Sequence, residues 1–515
     1  MKTPFLFLLL ALALTARAAD KPNFIFILCD DLGYGDVGCL NPEGKIPTPN
    51  MDRLAREGVI FTDAHTSSSV CTPTRYGVMT GRYNWRSKLQ KAVLGGLSPR
   101  LIEQGRMTVA SMLQGQGYHT ACIGKWHLGM DWALHPGKTV SELTIESREQ
   151  AFSADFTRPA TNGPNAVGFD HYFGISASLD MVPYCFIEND RVTAQPTEDR
   201  GLPMFHGEDK ERNSRQGPAA PGFTGYEVLP TLTDKTVAYI GEKAADAKAG
   251  KPFFIYLPYA SPHTPILPNE RWRGKSGLNS YGDFVMEQDH EIGRVLKALD
   301  DHGLTENTLI VFTSDNGCSP QARYDELLAK GHNPSGKFRG HKADIYEGGH
   351  RVPFIVRWPA QVKGGQTTAQ LTCLTDFTAT AAEILGVKLP DTAAEDSYSF
   401  LPALTGAASA SPVRRSVIHH SIGGYFAIRE GKWKLALCPG SGGWSEPRPG
   451  KEPRDAPPVQ LFDLETDIGE TNNVAAANED IVKCLQMKLE EIVANGRSTP
   501  GARQKNAVPV DIWKK

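Results

Sequence analysis

The chain predicts an α/β fold: a large mixed, mainly parallel sheet flanked by helices, followed by a smaller C-terminal α+β domain. Three observations carry that expectation. Continuous apolar runs recur and each stops at a polar cluster, amphipathic helical patterns lie between them, and hairpin and loop character takes over from about Asp391. Uninterrupted apolar runs suit strands buried on both faces. Intervening helices supply the crossovers that parallel pairing needs.

The elements follow in order. Lys2, the apolar run Phe5 to Leu14 and Thr15-Ala16-Arg17-Ala18-Ala19 read as a secretory signal peptide over residues 1–19, cleaved near Ala18 or Ala19. The mature protein is therefore expected to be exported, periplasmic or secreted. Phe24 to Cys29 is the first buried strand and ends at Asp30-Asp31; Met51 to Gly58 and Thr108 to Gly117 follow as helices. His119 to Ile123 is a strand leading into Gly124-Lys125-Trp126-His127. From Gly137 to Pro230 the Gly, Pro and polar content rises and periodicity weakens, which predicts an elaborated loop region shaping a substrate pocket. The strand Phe253 to Leu257 leads into Ser261-Pro262-His263. Tyr281 to Gly303 is a helix with Phe284, Val285, Ile292, Val295 and Leu299 on its apolar face, and the strand Leu309 to Thr313 runs into Ser314-Asp315-Asn316-Gly317. Residues 20–390 form the expected catalytic domain and 391–515 the C-terminal one. The latter holds a hairpin over Tyr425 to Leu435 turned at Glu430-Gly431, a loop from Pro439 to Pro458, a strand at Leu461 to Leu464 and a helix from Asp480 to Ala494.

Composition narrows the function classes. A chain of 515 residues, 40% hydrophobic, buries a large core, and a formal net charge of -3 with dispersed basic residues gives no reason to expect a nucleic-acid partner. No apolar run after the leader is long enough to span a bilayer. Of nine cysteines, eight remain once Cys71 is set aside; their wide spacing fixes no pairing, and there is no Cys-x-x-Cys to suggest structural zinc.

Four strands end in reactive residues, and open α/β sheets place their sites at those carboxyl ends. Asp30, Asp31, Asp315 and Asn316 offer hard oxygen ligands, which favours calcium or magnesium. Cys71-Thr72-Pro73-Thr74-Arg75 reads as a short helix that opens with a thiol and carries a guanidinium one turn on. Unpaired N–H groups at such a helix start, with Arg75 on the same face, favour a bound anion. Lys125 and His127, two apart at a strand end, face one side.

The Cys-x-Pro-x-Arg core with Thr80-Gly81-Arg82 resembles the signature of the type I, formylglycine-dependent sulfatases. Gly124-Lys125-Trp126-His127-Leu128-Gly129, Ser261-Pro262-His263-Thr264-Pro265 and the stretch Lys342 to Gly349 match further blocks of that family in the same order. The resemblance implies the alkaline phosphatase-like fold and an arylsulfatase-like hydrolase. It implies that Cys71 is oxidised to formylglycine by a maturation enzyme. Arg75 and Lys125 would hold the aldehyde hydrate, His127 would act as base, and Lys342 and His263 would face the sulfate, with His263 as general acid. Calcium, more than magnesium, would be held by Asp30, Asp31, Asp315, Asn316 and the modified Cys71. The substrate is expected to be a sulfated carbohydrate or an aryl sulfate. Chemistry gives the oxidation a reason: a thiolate attacking sulfur would end as a sulfonate with no release, whereas one oxygen of an aldehyde hydrate attacks and the other expels sulfate.

Two alternatives stand beside this reading: a phosphonate monoester or phosphodiester hydrolase of the same superfamily, and a secreted glycan-binding protein with a decayed site. In the loop region Asp180, Tyr184, His206 and Glu208 are candidate sugar contacts or ordinary loop surface; in Tyr346 to Pro353 the glycines serve the turn and Arg351 is a structural candidate. In a host with the maturation enzyme, the tryptic peptide containing position 71 is expected to show, by mass spectrometry, the mass loss of thiol-to-aldehyde conversion. An unmodified thiol in fully active protein would rule the mechanism out.

Overall fold

The computed structural model describes residues 21–206, 213–406 and 414–514. The expected signal segment and Glu208 lie outside the described residues. The main sheet has ten strands. In chain order they are β1 (Asn23–Asp30), β2 (Val59–Phe61), β3 (His119–Lys125), β4 (His171–Ile175), β5 (Ile187–Glu188), β6 (Arg191–Val192), β7 (Phe253–Pro262), β8 (Thr308–Ser314), β9 (Phe354–Arg357) and β10 (Gln366–Thr368). Their order in space is β10-β2-β9-β8-β1-β7-β3-β4-β5-β6. The central block β8-β1-β7-β3-β4 is parallel. Antiparallel strands flank it, β9 on one side and β5 with β6 on the other.

The uninterrupted apolar run of β1 is explained by its two faces. Ile25, Ile27 and Cys29 enter one core layer, and Phe24, Phe26 and Leu28 enter the other. The first layer is closed by α1 (Pro49–Glu57), α4 (Val228–Lys248) and α5 (Ser280–Asp301), which contribute Leu54, Ile240 and Ile292. The second is closed by α2 (Cys71–Thr80), α3 (Val109–Gly115) and α6 (Phe377–Ile384), through Tyr76, Leu113 and Phe377. Helix α2 stops because Gly81 takes a left-handed conformation, φ 62°, that suits a residue without Cβ.

The loop expectation for Gly137 to Pro230 needs correction, because this region holds β4, β5 and β6. β4 pairs in parallel with β3 from Ala121 to Lys125. Its strand character is hidden by Gly174, which faces Gly124 so closely that an added Cβ would lie 1.8 Å from the Gly124 carbonyl oxygen. A glycine that permits close backbone approach also weakens the strand signal. β3 and β7 run further than expected, to Lys125 and Pro262, and so carry their polar ends to the sheet edge.

The C-terminal part forms a four-stranded antiparallel sheet of β11 (Ser416–His420), β12 (Phe426–Glu430), β13 (Trp433–Ala436) and β14 (Gln460–Asp463). Helix α7 (Glu479–Asn495) packs Leu485, Leu489 and Ile492 against it, in a core shared with Tyr83 and Trp85 from beyond α2. None of the nine cysteines is disulfide-bonded. No helix among the described residues is long and apolar enough to cross a membrane.

A buried fork ties the two parts together. Arg86 donates from Nε and Nη2 to the two oxygens of Asp396, at 2.8 and 2.9 Å, and both side chains have zero exposure. Arg86→Ala would leave the carboxylate buried and unpaired, so unfolding free energy is expected to fall by about 3–5 kcal/mol. The measurement is a denaturant titration of variant against parent.

Candidate active site

The carboxyl ends of β1, β3, β7 and β8 converge with the start of α2. Asp30 ends β1, and Asp31 follows in the left-handed region at φ 64°, an orientation a short polar side chain tolerates. Tyr281 of α5 packs its hydroxyl 3.1 Å from the Asp31 carbonyl and donates its proton to Asp36 Oδ2 at 2.5 Å. Asp315 and Asn316 follow β8. Asn316 donates from Nδ2 to Asp31 Oδ1 at 2.7 Å, which turns its Oδ1 inward. That oxygen and Asp30 Oδ1 are buried without a hydrogen-bond partner.

Cations face these acids. Arg75, one turn into α2, donates from Nε and Nη2 to Asp315 Oδ2 at 3.0 and 2.8 Å, approaches Asp30 at 3.5 Å and reaches the Lys125 carbonyl at 3.0 Å. Lys125 Nζ donates to Asp30 and, at 2.6 Å, to Ser178 Oγ. Lys342 Nζ donates to the Asp31 carboxylate at 2.7 Å. His263 Nε2 lies 3.7 Å from Asp31 Oδ2, while its Nδ1 donates to the Thr264 carbonyl at 2.5 Å. His127, at φ 54°, donates from Nε2 to the Leu94 carbonyl at 2.8 Å. Its Nδ1 is buried and unpaired.

Burial dominates the electrostatics. It pushes the Cys71 thiol up by more than Lys125 and Lys342 pull it down, so an unmodified cysteine stays protonated. Asp30, against the push of its own burial, is held well below the usual carboxylate range by Lys125, His263, Arg75 and Lys342. Burial, with Asp30 close by, pushes Asp315 up to about 7. Burial and then Lys125 hold His127 well below its ordinary value, which keeps it neutral.

The structure thus brings together Asp30, Asp31, Cys71, Arg75, Lys125, His127, His263, Asp315, Asn316 and Lys342, every residue expected from the sequence. Asp30, Asp31 and His263 offer ligand atoms within 4.8 Å of one another, and all three are buried. The two unpaired oxygens of Asp30 and Asn316 fit a hard divalent cation, which needs such oxygens.

Ser178, three residues past β4, had no motif to mark it; the strand before it was the available signal, and glycine obscured that signal. The loop candidates divide. Tyr184 is interior, bonded to Ser214 Oγ at 2.7 Å, and His206 meets the Tyr226 hydroxyl at 3.1 Å. Asp180 has one oxygen buried without a partner. Arg351 turns away from the site and binds Glu347 at 3.0 Å. Arg82 reaches Glu395 at 3.2 Å and the Lys505 carbonyl at 2.7 Å, so the end of the Cys71 signature anchors α2 to the C-terminal segment.

A buried cysteine on a helix start, ringed by cations at the carboxyl edge of an α/β sheet, suits an anionic ester. The sulfatase family profile matches residues 22–387. The chain is 34% identical over 504 residues to an N-acetylgalactosamine-6-O-sulfatase of Bacteroides thetaiotaomicron, covering 92% of this chain and 93% of that protein. It is 32% identical to human arylsulfatase A, covering 96% and 93% respectively. A solved Bacteroides thetaiotaomicron structure from work on glycosaminoglycan metabolism superposes with a TM-score of 0.76 at 32% identity, over 92% of this chain and 99% of that one. The chain belongs to the sulfatase family, and its reaction is the hydrolysis of an organic sulfate monoester to release inorganic sulfate. The family implies a divalent metal and formylglycine. Dialysis against a chelator is expected to lower the melting temperature by leaving the buried oxygens of Asp30 and Asn316 without a partner, and adding a divalent cation to restore it. Asn316→Ala should shrink that shift, as read by differential scanning fluorimetry.

Proposed function

We propose that this sulfatase acts on a sulfated carbohydrate, with formylglycine at position 71 and calcium held by Asp30, Asp31, Asp315, Asn316 and the modified residue 71. The observation that carries the reading is the convergence of ten side chains from six segments on one buried point, each with a chemically assignable task. The similarity to a sulfatase of N-acetylgalactosamine supports a sugar ester as substrate. When present, the aldehyde hydrate would supply paired oxygens for attack and release, and calcium would supply positive charge for a sulfate oxygen.

The chain's own residues divide the remaining work. Arg75 and Lys125 fix the carboxylate frame and put positive charge beside position 71. His127 is a neutral base: its Nε2 proton is committed to Leu94, so Nδ1 is free to take one. Lys342 neutralises charge that develops on the sulfuryl oxygens. His263, fixed through Nδ1, presents Nε2 3.7 Å from Asp31 and is placed to give a proton to the leaving oxygen. A sugar alkoxide leaves poorly without that proton. Export guided by residues 1–19, and oxidation of Cys71 by a formylglycine-generating enzyme, belong to the same reading.

His263→Ala is expected to lower turnover of a sugar sulfate by about 100-fold or more, and that of nitrophenyl sulfate by less than about tenfold, since general acid catalysis matters most for a basic leaving group. Steady-state kinetics on both substrates decide it; equal losses would reassign the proton donor.

A further inference from the structure

A second buried cluster lies outside the site just described. His65, Glu347, His350 and His419 bring ligand atoms within 4.8 Å of one another. It has the composition of a metal centre but not the geometry. The rings of His350 and His419 stack 3.6 Å apart at 8°, so their in-plane lone pairs point along parallel planes and do not converge. Lys434 of β13 already supplies the cation, with Nζ 3.1 Å from Glu347 Oε1, 2.7 Å from Glu470 Oε1 and 3.0 Å from His350 Nε2.

A run of contacts leads from this lysine to Asp63. His350 Nε2 meets both Lys434 Nζ, which can only donate, and the Ile345 carbonyl at 3.1 Å, which can only accept. His350 Nδ1 meets His65 Nδ1 at 3.0 Å, so with both rings neutral one of the two atoms carries a proton and the other accepts it. His65 Nε2 meets both Asp63 Oδ1 at 2.9 Å and Arg429 Nη1 at 3.1 Å. The two rings therefore take complementary tautomers, and either direction of donation makes a continuous path. Arg351 and Arg429 hold Asp63 at the far end. Burial first, and neighbouring cations and imidazoles after it, hold His350 and His419 well below their ordinary values and bring His65 down to about 4, in keeping with neutral rings.

The relay borders the strap that leads to the nucleophile. Thr66 N donates to the His350 carbonyl at 2.9 Å, and Nδ1 of His419, on β11, meets the Thr66 carbonyl at 3.3 Å. Next along, Ser68 Oγ and Ser69 N donate to the His420 carbonyl at 2.8 and 3.0 Å, and Ala343 N donates to the Ser69 carbonyl at 2.8 Å. Residues 66–69 are therefore clamped between the C-terminal sheet and the segment carrying Lys342. Cys71 follows two residues later.

We propose that the Lys434–His350–His65–Asp63 relay, with His419 stacked on it, is a positioning device through which the C-terminal sheet sets the placement of residue 71. This rests on the sulfatase reading of the Cys71 site, but its first test does not. Long-range 15N–1H correlation spectra of histidine-labelled protein, assigned by single substitutions, should show complementary tautomers for His350 and His65, one protonated at Nδ1 and the other at Nε2, whatever the substrate. The second test is kinetic, on nitrophenyl sulfate. His350→Gln moves the side-chain amide to the Nε2 side and breaks the link to His65, whereas His350→Asn keeps a donor near the Nδ1 position. The Gln variant is expected to lose about 100-fold in kcat, the scale of a misplaced reacting group, with KM changed less than threefold, and the Asn variant to recover most of the loss. The same tautomer in both rings, a cluster that takes up zinc, or equal kcat in both variants and the parent would overturn the proposal. Failure on sugar sulfates alone would count against the carbohydrate reading and leave the relay intact.

Discussion

Three carboxylates that meet at the ends of two neighbouring strands dictate the rest of the active site. Asp30, Asp31 and Asp315 are at most 1% exposed, and like charges so close in a poorly polarisable interior are tolerable only with cations pressed against them. Arg75, Lys125 and Lys342 supply that counter-charge from α2, β3 and the segment after β8. Each is held by the acids it balances, so the groups that would bind a sulfate are fixed before substrate arrives. A divalent ion added to this balanced set would leave the pocket positive, the sign an anionic ester needs.

The same economy of burial explains why position 71 is unsuited to thiol chemistry. A cysteine with zero-exposure neighbours and carboxylates nearby keeps its proton, despite two lysines in reach. His127 nearby is neutral because burial and Lys125 together disfavour its charge. Behind it, a second charge-balanced set of Asp63, Glu347 and Glu470 against Arg351, Arg429 and Lys434 joins the C-terminal sheet to the strap before Cys71.

Much of this was legible in the residues themselves. Runs such as Phe24 to Cys29 declare a strand buried on both faces, and a polar pair at the end of such a run points to the carboxyl edge of the sheet. The site was readable because its chemistry is concentrated at those ends. β4 escaped because Gly174 trades strand propensity for close contact with Gly124, and Ser178 escaped with it. The histidine relay escaped for another reason: His65, His350 and His419 lie far apart in sequence, and nothing short of the packed structure shows that two of their rings stack. Arg82 belonged visibly to a motif, yet its role as an anchor to Glu395 and the Lys505 carbonyl depends on contacts that no local pattern contains.

The strap before the nucleophile closes late in time as well as in space. Ser68 is hydrogen-bonded to a residue 352 positions further along the chain, and His419 reaches Thr66 across 353. A polypeptide that emerges from its amino end cannot complete those contacts until more than four-fifths of it has been made, and loops of that length are slow to close. Cys71 is 2% exposed once those contacts are in place. The long separation between the strap and its clamp makes closure over position 71 wait on chain length, independent of the residues around the cysteine.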